Sequence, residues 1–122
     1  MKLHASNPAG AQTITAYGDD YVKVNGERRE TSIIVTAEGV EAWHPASFDA
    51  LSADDFKGLA ELGVEIVLLG TGPRQRFPHP RLTADFAKAG IGLEVMDLQA
   101  ACRTYNILVA EERKVAAALL FE

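Results

Sequence analysis

The segment Gly90–Phe121, GIGLEVMDLQAACRTYNILVAEERKVAAALLF, reads as strand, helix and strand with few residues to spare. Leu93–Met96 is a short apolar run closed by Asp97, whose side chain can accept from the first N–H groups of a helix. At 100° per residue, Leu98, Ala101, Cys102, Tyr105, Leu108 and Val109 then fall on one stripe about 120° wide. Gln99, Arg103 and Asn106 point away from it. Val115–Phe121 follows as a second apolar strand. A strand, a crossover helix and another strand imply a largely parallel or mixed sheet with helices against it.

Moving back along the chain, the same alternation begins at Ser52. Ser52 followed by Ala53-Asp54-Asp55 is a helix cap with acids in the first turn, and Phe56, Leu59, Ala60 and Gly63 keep helical spacing. Glu65–Leu69 is an apolar run suited to a central strand covered on both faces. Gly70–Pro80 is a loop rich in Gly, Pro and Arg, and Thr83 can cap a short helix that reaches Lys88 and stops at Gly90.

The N-terminal third has a different grammar. Residues 1–12 carry few large apolar groups and read as a loose arm. The runs TITAY and YVKV flank Gly18-Asp19-Asp20 as a hairpin, Asn25-Gly26 suits a further turn, and the ERRE that follows reads as a solvated segment. Ser32–Thr36 and Val40–Trp43 flank Ala37-Glu38-Gly39 as a second hairpin. Trp43, Phe48 and Phe56 are expected to form a hydrophobic corner between these strands and the first helix.

Composition narrows the function. The chain has 122 residues, which suits one domain, and no internal repeat or linker divides it. Its formal net charge of −5 argues against broad binding to nucleic acid or anionic membrane. No apolar run is long enough to span a bilayer, and the first residues lack the features of a secretory or Arg-rich transit peptide. Cys102 is the only cysteine. The expected compartment is therefore the cytoplasm.

At GTGPRQRFP (70–78) and GIGLEVMDLQAACRTYNILVAEERKVAAALL (90–120) the chain resembles the Mth938-like family. The segments SIIVTAEGVEAWHP and FKGLAELGVEIVLLGTG follow the family's order of elements. The resemblance runs over about residues 13–121, and its most specific parts are G-T-G-x-x-Q-x-F-P and M-D-x-x-A-A-C-R-T-Y-N. It implies a single α/β domain over 13–122: a central mixed sheet flanked by helices, with an additional N-terminal antiparallel β layer. Family members include bacterial hypothetical proteins and a mitochondrial assembly factor of respiratory complex I. No general catalytic activity goes with the family.

Gly70, Thr71 and Gly72 follow a strand, as phosphate loops do, yet no Walker or dinucleotide pattern is present and Pro73 removes a backbone donor. Arg74, Arg76, His79 and Arg81 make the loop locally basic. If the strands at 65–69 and 93–96 are parallel neighbours, the loop and residues 97–103 flank one crevice at their carboxyl ends. That crevice would offer a small anion or carboxylate Thr71, Gln75 and Arg103, with Gly70, Gly72, Arg76, Glu94 and Asn106 around it; a structural edge salt-bridged to Asp97 or Glu94 is the competing expectation. Cys102 and Tyr105 lie on the apolar stripe and read as core. His4, His44 and His79 are scattered, so no metal and no cofactor is expected. The leading expectation is a soluble, non-enzymatic binding or assembly-type domain with an unknown protein partner. The alternative is a small-molecule or anion-binding protein or enzyme using the crevice beside GTGPRQRFP.

Overall fold

A computed structural model describes residues 10–122. Two sheets enclose one long helix. The smaller sheet is antiparallel, in the order β1-β2-β3: β1 (Ile14–Tyr17), β2 (Val22–Val24) and β3 (Glu27–Arg29). The larger is mixed, in the order β5-β4-β8-β6-β7: β4 (Ile33–Thr36), β5 (Gly39–Ala42), β6 (Ile66–Thr71), β7 (Gly92–Met96) and β8 (Val115–Leu120). β6 runs parallel to both β7 and β8, whereas β4 is antiparallel to β5 and β8. The central mixed sheet and the extra β layer are both present.

Two details differ from the sequence reading. The ERRE run is solvated as expected, but Glu27–Arg29 within it also form an edge strand: Asn25 and Gly26 both take positive φ (50° and 83°), and the tight turn lays Glu27–Arg29 against β2. The N-terminal third also splits between the sheets. β4 pairs with β8 from Ile33↔Leu119 to Thr36↔Ala116, so the β4–β5 hairpin extends the central sheet and only β1–β3 form the separate layer.

Alternation along the central strands explains why they are apolar throughout. On one face, Ile33, Val35, Leu68, Ala117 and Leu119 pack against α3 (Leu98–Ala110) and the small sheet. On the other, Ile34, Val67, Leu69, Ala116, Ala118 and Leu120 meet α1 (Ala53–Ala60) and α2 (Ala84–Ala89). Trp43, Phe56 and Phe86 fill this second core, with Phe48 packed beside it and Phe56 edge-on to Phe86 at 6.1 Å between ring centroids. The helix caps follow the sequence. Ser52 and Asp55 form a reciprocal capping box, Asp97 accepts from Ala100 N–H, and Gly90 ends α2 in the left-handed region.

The buried arc of α3 is wider than its apolar stripe. Leu98, Ala101, Cys102, Tyr105 and Val109 are buried as expected, but so is Asn106, only 4% exposed. The reason is the second sheet. α3 lies between two layers, so a residue turned away from one faces the other. The Asn106 amide donates to the Ile14 carbonyl at 2.7 Å and accepts from Ile14 N–H at 2.9 Å. Tyr105 donates to the Gln12 carbonyl at 2.8 Å. Residues 1–9 of the expected arm lie outside the described residues. Its described end is tied down, with Ala11 buried and Gln12 N–H bonded to the Ala37 carbonyl.

Removing the Asn106 amide would strand a buried N–H and a buried carbonyl on β1. Asn106→Leu is therefore expected to destabilise the domain by about 2–4 kcal/mol. Urea denaturation measures the loss. Hydrogen exchange of β1 and β2 should rise more than that of β6, and equal acceleration throughout would rule out a specific tether.

Candidate functional site

β6 and β7 are parallel neighbours, from Ile66↔Gly92 to Gly70↔Met96, so the 72–82 loop and the start of α3 do emerge on one edge. What fills that edge is mostly the protein itself. The Thr71 hydroxyl donates to the Arg74 carbonyl at 2.7 Å or to the Met96 carbonyl at 3.2 Å, and it accepts from Arg76 N–H at 3.1 Å. Gln75 donates to the Val95 carbonyl at 2.8 Å. Arg76 donates to the Thr71 carbonyl at 3.2 Å, and its guanidinium lies 4.5 Å from the centre of the Phe48 ring.

The two loop glycines answer two different demands. Gly72 has φ +84°, and a Cβ there would come within 3.3 Å of the Phe121 and Glu122 backbone. Gly70 owes its place to proximity: a Cβ would lie 3.1 Å from both Ala101 Cβ and Leu119 Cδ2. The missing side chain lets α3 press onto β6. The Gly72 carbonyl in turn accepts from Leu98 N–H at 2.8 Å, so this carbonyl and the Asp97 carboxylate already occupy donors that an anion would use at the helix N-terminus.

The other predicted site residues are dispersed. Arg103 is exposed, and its guanidinium donates to the Tyr17 hydroxyl at 2.9 Å, toward the small sheet. Asn106 sits deeper, on Ile14. Glu94 is exposed on β7, the outermost strand. The cleft beside the loop measures about 170 Å³ and is lined by Gly18, Asp19, Gly72, Pro73, Asp97 and Gln99. It contains two carboxylates and none of the arginines. The geometry thus brings Gly70, Thr71, Gly72, Gln75 and Arg76 into one bonded knot, and sets Glu94, Arg103 and Asn106 apart from it.

Wider grooves of about 400 Å³ lie elsewhere. One is at the opposite end of the parallel strands, between Leu62, Val64, Val109 and Lys114; another is beside Trp43, His44 and Glu122. Among the described residues no cluster of His, Cys, Asp and Glu could hold a metal ion. Sequence reasoning passed over Phe77, which is 71% exposed and with Ile107 (59%) is one of the large apolar side chains left open to solvent. The signal was available: Phe77 stands alone among Arg, Pro and His, with no periodic apolar partner.

Cys102 is buried, and that burial pushes its thiol up to about 12. Burial likewise raises the Tyr105 hydroxyl. Neither group is poised for chemistry near neutrality.

These features define a small α/β domain whose Gly-rich loop bonds largely to the chain's own backbone. The chain belongs to the protein family of unknown function DUF498/DUF598, whose pattern it matches over residues 14–120, and it is an Mth938-like domain. A crystal structure of a Bordetella parapertussis protein superposes with a TM-score of 0.87 at 42% identity, covering 93% of this chain and 98% of the other. The solution structure of a Bordetella pertussis Mth938-like domain gives 0.80 at 37% identity, covering 98% and 92%. Among curated relatives, the Danio rerio protein named NADH dehydrogenase (ubiquinone) 1 alpha subcomplex assembly factor 3 is 31% identical over 122 residues, spanning 98% of this chain and 70% of that protein. Of the cattle and human proteins of the same name the matched region spans 61% and 66%, so the chain corresponds to about two thirds of these relatives. Among the described residues no helix is long and apolar enough to cross a membrane.

The packing yields three predictions. In the native protein Cys102 should react with iodoacetamide at pH 8 at least about 100-fold more slowly than a free thiol, reaching the ordinary rate in denaturant. Because its folded pKa lies above its ordinary value of 9.0, its contribution to stability is complete below about pH 9 and is lost as pH rises toward about 12. Thermal melting across that range should show the decline, and Cys102→Ala should flatten part of it. Gly70→Ala is expected to destabilise by about 1–3 kcal/mol through the helix contact, as read by chemical denaturation.

Proposed function

We propose that this chain is a non-enzymatic, protein-binding domain of the assembly-factor kind. The observation that carries the reading is the state of the loop's polar groups. Thr71, Gln75 and Arg76 are each bonded to backbone of this chain, which leaves the adjoining cleft small and lined by carboxylates. Such a site has little to offer an anionic metabolite. An aromatic ring held out among arginines on the same loop has the composition enriched at protein interfaces.

The relatives named as assembly factors support the same kind of work, that of helping another protein or complex to form. The client is this chain's own and is not carried over from those names. A cytoplasmic setting belongs to the same reading, supported by one buried, unpaired cysteine.

Affinity purification of the tagged chain after mild crosslinking, followed by size-exclusion of the eluate, tests this reading. The expected result is a partner that co-migrates in fixed ratio, together with no melting shift from a broad library of anionic metabolites. A saturable metabolite shift with only background proteins in the eluate would overturn it in favour of a ligand-binding or enzymatic role.

A further inference from the structure

The loop from Pro73 to Leu82 has a chemistry unlike the rest of the chain. No Asp or Glu occurs between Glu65 and Asp85, and Arg74, Arg76, His79 and Arg81 all lie in that interval. The whole chain has 12 Lys and Arg against 17 Asp and Glu; without these three arginines 9 remain against 17, a net −8 outside the loop. The loop is therefore a basic spot on an acidic molecule. Arg74 and Arg81 are exposed and form no ion pair among the described residues.

At the centre of this spot stands Phe77, 71% exposed. It is held on both sides. Before it, the bonds of Thr71, Gln75 and Arg76 fix the backbone, and Arg76 is further braced on Phe48. After it come Pro78 and Pro80, with His79 Nδ1 accepting from Arg81 N–H at 3.1 Å and the His79 carbonyl accepting from Leu82 N–H at 2.9 Å in the 3-10 turn Pro80–Leu82. A ring presented on a pinned backbone loses little further freedom when it is covered, which is the condition for an anchor residue.

We propose that the 73–82 loop is a docking surface for an acidic protein segment that receives Phe77 in an apolar pocket. The inference rests on the protein-binding reading above and adds the surface and the partner's chemistry. Arginines around a single aromatic anchor match the usual composition of interface hot spots. Complementary charge would steer the partner to this spot and away from the acidic remainder. That remainder disfavours an extended polyanion, so a protein segment fits better than nucleic acid or an anionic bilayer.

The test is a titration of the ¹⁵N-labelled chain, followed by NMR, with a short amphipathic peptide of Glu, Asp and Leu. Parallel arms use the same peptide with Lys for its acids, an oligothymidylate, and phosphatidylserine vesicles. Shifts should concentrate in 73–82. Phe77→Ala should weaken binding at least about tenfold and the double variant Arg74→Glu/Arg81→Glu further, both with unchanged melting temperature, while Phe77→Trp retains binding. Rising salt should weaken binding by slowing association. Equal binding of the Lys peptide, shifts centred elsewhere, or tighter binding of oligothymidylate or vesicles at the loop would each overturn the proposal. A co-purified partner whose binding ignores Phe77→Ala would overturn it while leaving the assembly-type reading standing.

Discussion

The structure depends on how β1 is held. β1 is the edge of the small sheet nearest α3, and a bare edge buried beneath a helix would leave donors and acceptors without water. Side chains of α3 take the place of a missing strand. Asn106 closes both ends of a peptide-like pair with Ile14, Tyr105 takes the Gln12 carbonyl, and Arg103 reaches the Tyr17 hydroxyl. The small sheet is thus attached to the domain by side chain-to-backbone bonds as well as by apolar packing. Polar residues on α3 act as a hinge plate between two layers.

The same economy governs the loop after β6. Gly70 brings α3 close, Gly72 turns the chain beneath the last described residues, and Thr71 gathers three backbone partners. Each is a feature that resembles a binding loop when read as letters. In space each also helps to hold β6, β7 and α3 together at their carboxyl ends. A glycine-rich loop is open to a phosphate only when its N–H groups point outward and a helix N-terminus lies free behind it. Here that terminus is capped by Asp97 and by the Gly72 carbonyl.

Much of this was legible in the sequence. Caps at Ser52 and Asp97, the stop at Gly90 and the two-faced apolar strands are local physics, and the helices and the parallel strands at 66–71, 92–96 and 115–120 follow from them. The destination of the β4–β5 hairpin was not legible, because pairing with β8 joins residues some eighty positions apart. Nor was the burial of Asn106, since a periodic stripe describes one buried face and α3 has two. The candidate site was legible as a place and illegible as a chemistry. Parallel strands would put loop and helix on one edge, but which hydroxyl, amide and guanidinium are already engaged depends on the folded backbone around them.

The order of the central sheet has a further consequence, for folding during synthesis. β8 follows the other described elements, yet it is the middle strand, with β4 on one side and β6 on the other. Until Val115–Leu120 has emerged, the β4–β5 hairpin and the β6–β7 pair have no shared partner, and the faces they will bury against β8 stay open. The central sheet is therefore a collection of parts until β8 arrives, when a run as plain as VAAALL joins them. Unpaired strand edges exposed before that arrival are the surfaces on which non-native pairing is physically favoured.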